Sequence, residues 1–368
     1  MKRSFIREIL EHTNSNTISF AGGLPDPSLF PTKELKECTK KVFEDTSSLQ
    51  YGNSMGYLPL RNHIAQFYTK KGFPTSKDNI LITTGSQQAL DIICRYYSGS
   101  TITIERPSYL GALNIFKLNN MLIQTVKLTK NGIDINLLKK SIKNSKLTYL
   151  IPDFQNPSSI CYTKFNRLEV AKLLDSSNTI LIEDSPYSQL YFETQQKPIS
   201  WLLEDKSYHI GSFSKILSPS LRVGWIRANK KLLEPLVAYK EAMDLHTSVI
   251  TQKIIYEYLK DAQTLELHLN KLRVKYKEKM LYFSKELDCY LPSFSYEKPK
   301  GGMFIYGALE NIDTSKFLQK CLQNGVVYVP GIEFGGEYNE IRFNFTNNSL
   351  QDITKGLKRI KKSLEETI

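Results

Sequence analysis

From about residue 79 to residue 226 the chain alternates short runs rich in β-branched residues with longer stretches of helical period. The extended runs are NILITT, TITIE, MLIQTVKL, LTYLIPD, TILIED, YHIGS and RVGWI. Between several of them lie SQQALDIICRYY, GALNIFKL and KFNRLEVAKLLD, where apolar positions return every three or four residues. Such alternation predicts an α/β fold: a mainly parallel, seven-stranded sheet with helices on both faces. Residues 265–283, LELHLNKLRVKYKEKMLYF, put Leu265, Leu269, Leu272 and Tyr276 on one stripe and predict a long amphipathic helix. It leads to a smaller α+β domain with GGMFIYGAL, GVVYVPG and EIRFNFT as strands. The closing helix carries Ile353, Leu357, Ile360 and Leu364 on one face. The segment before residue 45 holds too little core to fold alone. The division expected is therefore a large domain over 45–262, a connecting helix over 263–289, and a small domain from 1–44 and 290–368.

A chain of 368 residues can bury a large core, and a hydrophobic content of 41% with 11% aromatics is that of an ordinary globular protein. No run approaches the ~20 apolar residues that cross a bilayer. The start, MKRSFIREILEHTNSN, lacks the apolar core of a secretory leader. Cys38, Cys94, Cys161, Cys289 and Cys321 are scattered without a C-x-x-C pair, and the histidines are equally dispersed. These point to a reduced cytoplasm, with no disulfide framework and no structural metal. The formal charge of +12 raises the question of nucleic acid, but the lysines are spread along the chain. Their densest cluster, KGLKRIKKSLEE, is the solvent side of the last helix, so neither nucleic acid nor membrane is an expected partner. The excess charge still favours anionic ligands.

Open α/β sheets bind ligands beyond the carboxyl ends of their strands. Gly85-Ser86-Gln87 follow NILITT, and Arg106-Pro107-Ser108-Tyr109 follow TITIE. Asn156 comes just after LTYLIPD, Asp184-Ser185-Pro186-Tyr187 after TILIE, and Ser212-Phe213-Ser214-Lys215 after YHIG. Alone, each has a bland reading: a helix cap, a turn, a solvated lysine. Together they bring Ser86, Tyr109, Asn156, Asp184, Tyr187 and Lys215 to one edge. Pyridoxal phosphate needs this set: a lysine for a Schiff base and a carboxylate on the ring nitrogen. Tyr187 and Asn156 suit the ring's O3′, and Tyr109 can stack on the ring. Ser86-Gln87 at a helix start, Ser212, Ser214 and Arg222 suit the phosphate.

With those residues the chain resembles the fold-type I, class I/II aminotransferases. It is most similar to the branch holding 2-aminoadipate and kynurenine aminotransferases and the aminotransferase-like domains of MocR-type regulators. The resemblance runs from ISFAGGLPDPSLFP almost to the end, through LQYGNSMGYLPLR, TTGSQQALD, ERPSYLGAL, PDFQNPSS, IEDSPYSQL, GSFSKILSPSLRVGW, KPKGGMFIY and IRFNF. It implies that Lys215 carries the cofactor and then shuttles a proton. It implies that Arg342 clamps the substrate α-carboxylate, although from residue pattern alone Arg342 reads as a surface strand residue. Gly23 is expected to lay its backbone against that carboxylate. Tyr51 is expected to reach the phosphate of the neighbouring subunit's cofactor, making a homodimer the active unit. The implied activity moves an amino group between an L-amino acid and a 2-oxo acid, with glutamate/2-oxoglutarate as one pair. The same cofactor residues also serve C–S lyases and decarboxylases. An effector-sensing, non-catalytic role like that of the MocR domains is the other alternative, but the blocks begin near residue 17 and leave no space in this sequence for a preceding DNA-binding domain.

Overall fold

The computed structural model describes residues 5–11, 14 and 16–367. In chain order its strands begin with a two-residue piece, β1 (Ile18–Ser19). Eight more then build one large sheet: β2 (Ile80–Thr83), β3 (Thr101–Arg106), β4 (Leu122–Thr129), β5 (Gly132–Ile133), β6 (Leu147–Leu150), β7 (Ile180–Asp184), β8 (Ser207–Ser212) and β9 (Gly224–Arg227). Their spatial order is β2-β9-β8-β7-β6-β3-β4-β5. The run β4-β3-β6-β7-β8 is parallel, and β9, β2 and β5 join antiparallel. Every residue of β2, β6, β8 and β9 is buried, because both faces of the sheet are covered, and the burial takes in polar residues such as Ser207, His209 and Arg227 as well as apolar ones.

All seven expected strands are present. The sheet has an eighth, because the chain turns back after β4 through the two-residue loop Lys130-Asn131 and pairs Gly132, at φ +128, with Thr129.

The remaining strands, β10 (Phe294–Tyr296), β11 (Phe304–Leu309), β12 (Val326–Val327), β13 (Val329–Pro330) and β14 (Glu340–Asn344), serve two smaller sheets. One is antiparallel in the order β10-β11-β14-β13, and the other pairs β1 with β12 in parallel. The run GVVYVPG is thus two strands rather than the one expected. It divides at Tyr328, whose buried hydroxyl donates to the Thr314 carbonyl at 2.7 Å. The division matters for the site. It ties residues 18–20 alongside β14, where the Asn344 N–H donates to the Phe20 carbonyl at 2.8 Å, and so carries Ala21–Gly23 to the sheet edge.

The long helix spans Ala262–Tyr290 and buries Leu269, Leu272, Tyr276, Met280, Phe283 and Leu287. The last helix, Leu350–Glu365, is capped by Ser349, whose hydroxyl accepts from the Asp352 N–H at 3.1 Å. Its residues Ile353, Leu357 and Ile360 are fully buried, and Leu364 is half-buried. Phe20 meets the rings of Phe283 and Phe343 edge-on at 5.1 and 5.9 Å. Truncating this fully buried ring to alanine should cost about 3–5 kcal/mol. No described helix is long and apolar enough to cross a membrane.

Candidate active site

The carboxyl ends of β2, β3, β6, β7 and β8 border a cavity of about 460 Å³. Gly23, Ser86, Gln87, Tyr109, Asn156, Asp184, Tyr187, Ser212, Ser214, Lys215, Arg222 and Arg342 all line it. Of the expected site residues only Tyr51 does not. It stands on the surface, 80% exposed, with its ring edge-on to His246 at 5.9 Å.

Asp184 is the last residue of β7, and strand alternation sends it to the face opposite Glu183. Glu183 is consumed structurally, accepting from the N–H groups of Ile199 and Ser200 at 3.0 and 2.7 Å. Asp184 accepts only from the Tyr149 hydroxyl, at 2.8 Å on Oδ2, and Oδ1 has no partner among the described residues. Burial pushes its carboxyl from 3.8 up to about 7, and the Tyr149 hydrogen bond offsets only part of this.

Lys215 sits in the turn after β8, which the Ser212 hydroxyl tightens by accepting from the Ser214 N–H at 3.1 Å. Its Nζ donates to the Gly23 carbonyl at 2.7 Å. Burial first, and then the guanidinium charges of Arg342 and Arg222, lower this amine to about 8. A substantial neutral fraction near pH 8 is what a base or nucleophile requires.

The Arg222 side of the cavity suits an anion. Arg222 adopts a left-handed backbone, φ 51, and its guanidinium reaches Ser214 Oγ at 3.4 Å and the Thr84 carbonyl at 3.3 Å. It lies across the start of the helix Ser86–Tyr96, whose N-cap Gly85 offers no side chain to the first N–H groups. A Cβ on Gly85 would come within 2.4 Å of Arg222 Nη2, and its φ of +80 also favours glycine.

Arg342, on β14, is 1% exposed and not a surface residue as its pattern alone suggests. Nη1 donates to Asn156 Oδ1 at 2.8 Å, Nη2 donates to the Ala21 carbonyl, and Nε has no partner among the described residues. The guanidinium lies over the rings of Phe304 and Phe334 at 4.3 and 4.8 Å. Desolvation pulls it down to about 10, and no carboxylate pairs with it among the described residues. Asn156 then donates from Nδ2 to the Tyr187 hydroxyl at 3.2 Å, which links Arg342, Asn156 and Tyr187 in one row.

Three contacts escape a sequence reading. The hydroxyl of Tyr149 on Asp184 had one available signal: a tyrosine inside a buried strand needs a partner for its O–H. The carbonyls of Ala21 and Thr84, which hold the two guanidinia, leave none.

A buried lysine, an unshared carboxylate oxygen and a guanidinium at a helix start define a site for an aldehyde cofactor bearing a phosphate. Comparison with known proteins agrees. The family of aminotransferase class I and II matches residues 15–360. Aromatic-amino-acid aminotransferase 1 of Thermococcus litoralis is 36% identical, over 100% of this chain and 92% of that protein. The kynurenine aminotransferase of Pyrococcus horikoshii superposes with a TM-score of 0.94 at 33% identity, over 100% of this chain and 96% of that one. The α-aminoadipate aminotransferase LysN of Thermus thermophilus, in complex with N-(5'-phosphopyridoxyl)-L-leucine, gives a TM-score of 0.92 at 32% identity, over 99% and 95%. The chain belongs to the class I and II aminotransferases and is a pyridoxal-phosphate-dependent enzyme. The residues present fit that cofactor: the orphaned Asp184 Oδ1 is an acceptor awaiting an N–H donor, and Lys215 is a buried amine of lowered basicity.

Proposed function

We propose that the enzyme moves the amino group between an L-amino acid and a 2-oxo acid, with glutamate and 2-oxoglutarate as one pair. The observation that carries this reading is Arg342: a buried guanidinium with only neutral acceptors, in the same cavity as Lys215. A desolvated cation of that kind is built to receive a carboxylate bidentately, and the substrate's α-carboxylate supplies one.

The bound cofactor supplies the electron sink that weakens the Cα–H bond of the amino acid. The chain's residues do the rest. Asp184 would accept a hydrogen bond at its free Oδ1, Ser212, Ser214, Arg222 and the start of Ser86–Tyr96 would hold the phosphate, and Tyr109 would flank the ring. Arg342 would fix the carboxylate, with Asn156 and the Gly22–Gly23 backbone closing around it. That orientation sets the Cα proton toward Lys215 Nζ, which takes it in its neutral form. Lys215→Ala should lower turnover by about 10²–10⁴-fold and leave the cofactor extractable after borohydride reduction. Near-normal turnover in that variant overturns the assignment. A panel of amino donors with 2-oxoglutarate, followed by glutamate formation, separates transamination from C–S elimination, which instead releases ammonia, and from decarboxylation, which releases carbon dioxide.

We further propose that the working unit is a cytoplasmic homodimer in which Tyr51 completes the partner's phosphate site. The support is its exposure beside Leu49, 80% and 66%, outside its own cavity. Tyr51→Phe should weaken cofactor retention without altering the fold, as measured by dialysis followed by absorbance.

A further inference from the structure

A second cavity, of about 280 Å³, lies behind the first and shares Pro186 and Ser212 with it. Its body is apolar: Ile64, Phe67, Phe213, Ile216 and Leu265 line it beside two tryptophans. Its charge is one-sided. Lys71 and Lys197 line it, and no aspartate or glutamate does so among the described residues. Lys71 Nζ rests over the Phe67 ring at 4.4 Å and meets only neutral acceptors, Gln195 Oε1 at 2.7 Å and Gln189 Oε1 at 3.4 Å.

Three lining residues also hold buried polar atoms without partners among the described residues: Ser185 Oγ, Trp201 Nε1 and His209 Nε2. Ser185 and His209 are 6% and 5% exposed. Their hydrogen-bond chemistry has a direction. Trp225 Nε1 donates to the Tyr68 hydroxyl at 2.8 Å, so that hydroxyl's own proton goes to His209 Nδ1, also at 2.8 Å. Burial keeps the imidazole neutral, and its remaining hydrogen therefore sits on Nε2. Nε2 of His209 and Nε1 of Trp201 are thus donors, and Ser185 Oγ can be one. These three atoms are themselves closed off from solvent, so they stand behind the apolar lining as its polar wall and do not contact an occupant directly.

We propose that this cavity is a second binding site, for a small carboxylate carrying an apolar body of about one ring. Its volume sits at the small end of ligand pockets. The carboxylate would meet Lys71 and the ring would meet Phe67, Phe213 and Ile216. The site is distinct from the catalytic one, because Lys71, not Arg342, provides its cation.

The chain's only two tryptophans, Trp201 and Trp225, both line this cavity, so intrinsic fluorescence reports on it. The probe is 3-phenylpropanoate, titrated into the holoenzyme beside its neutral amide. The expected result is a saturable fluorescence change with the acid, weakened about ten-fold for the amide and in Lys71→Gln, since a charge-assisted contact is lost. Leu265→Phe, which fills the cavity, should abolish the change, while Arg342→Ala should keep it. The proposal is overturned if wild-type fluorescence shows no saturable change. It is equally overturned if Arg342→Ala removes the signal while Lys71→Gln leaves it, because binding then lies in the catalytic cavity alone. Folding of each variant is checked by circular dichroism, and Lys71→Gln should keep its transamination rate.

Discussion

The two cavities stand back to back across the ends of β7 and β8, and each holds a lysine lowered to about 8. In both, burial is the first cause. The second cause differs: Arg342 and Arg222 press on Lys215, whereas Arg273 presses on Lys71 and Glu266 partly relieves it. The neighbours differ more. Lys215 faces an unshared carboxylate oxygen, a phenol and two guanidinia, a set able to bind an anion at each end and move a proton between. Lys71 lies on an aromatic ring and donates, among the described residues, only to the amide oxygens of Gln195 and Gln189, while Glu266 acts on its charge without a hydrogen bond to it. A lowered lysine is therefore not by itself a mark of catalysis. What makes it chemical is a converging set of charges, and what leaves it a binding group is an apolar cavity.

The most severe test of this contrast is Arg342→Ala. Removing a buried, hydrogen-bonded guanidinium should cost kcat/KM roughly 10²–10³-fold by steady-state kinetics with any amino donor. A loss no larger than that of Lys71→Gln would erase the difference between the cavities.

Next in size is Asp184. Its carboxyl is raised in the folded chain, so the folded state keeps a proton that the unfolded chain releases above about pH 4. Stability of the cofactor-free protein should fall as pH rises from about 4 through about 7, by up to about 4 kcal/mol from this group. Asp184→Asn should flatten that slope in urea unfolding at pH 5 and pH 8. Parallel curves for the two proteins would show that the carboxyl is not desolvated as its surroundings indicate.

The smallest effect is the most discriminating. In cofactor-free protein, labelling by an amine-specific reagent should rise through pH about 8 for both Lys215 and Lys71, well before surface lysines at ~10.4. Arg342→Ala should move the Lys215 midpoint upward and leave that of Lys71 in place, as read by peptide mass spectrometry. Equal movement of both would mean that the cavities are not electrostatically separate.

Much of this was legible in the chain. Six of the seven strands are largely buried because helices cover both faces of the sheet, and their β-branched and apolar residues announce them; β4 shows itself as an extended run although it is largely exposed. The residues after those strands are equally readable, since chain direction alone decides which end of a parallel strand Asp184 or Lys215 occupies. β5 is too short for any periodicity, and GVVYVPG is a single β-run by pattern. It divides because its two halves hydrogen-bond to different sheets, which depends on partners more than 300 residues upstream and about a dozen downstream.

The reactive groups, and the sheet edge to which they are delivered, follow from the order of residues alone, because strand period and direction are local properties. The state of those groups arises only on folding. The Tyr149 hydroxyl on Asp184, the Ala21 carbonyl and two aromatic rings on Arg342, and the acid-free rear cavity come from segments that approach one another only in the folded chain. Desolvation and charge proximity depend on distance in space, and no local pattern of residues encodes that distance.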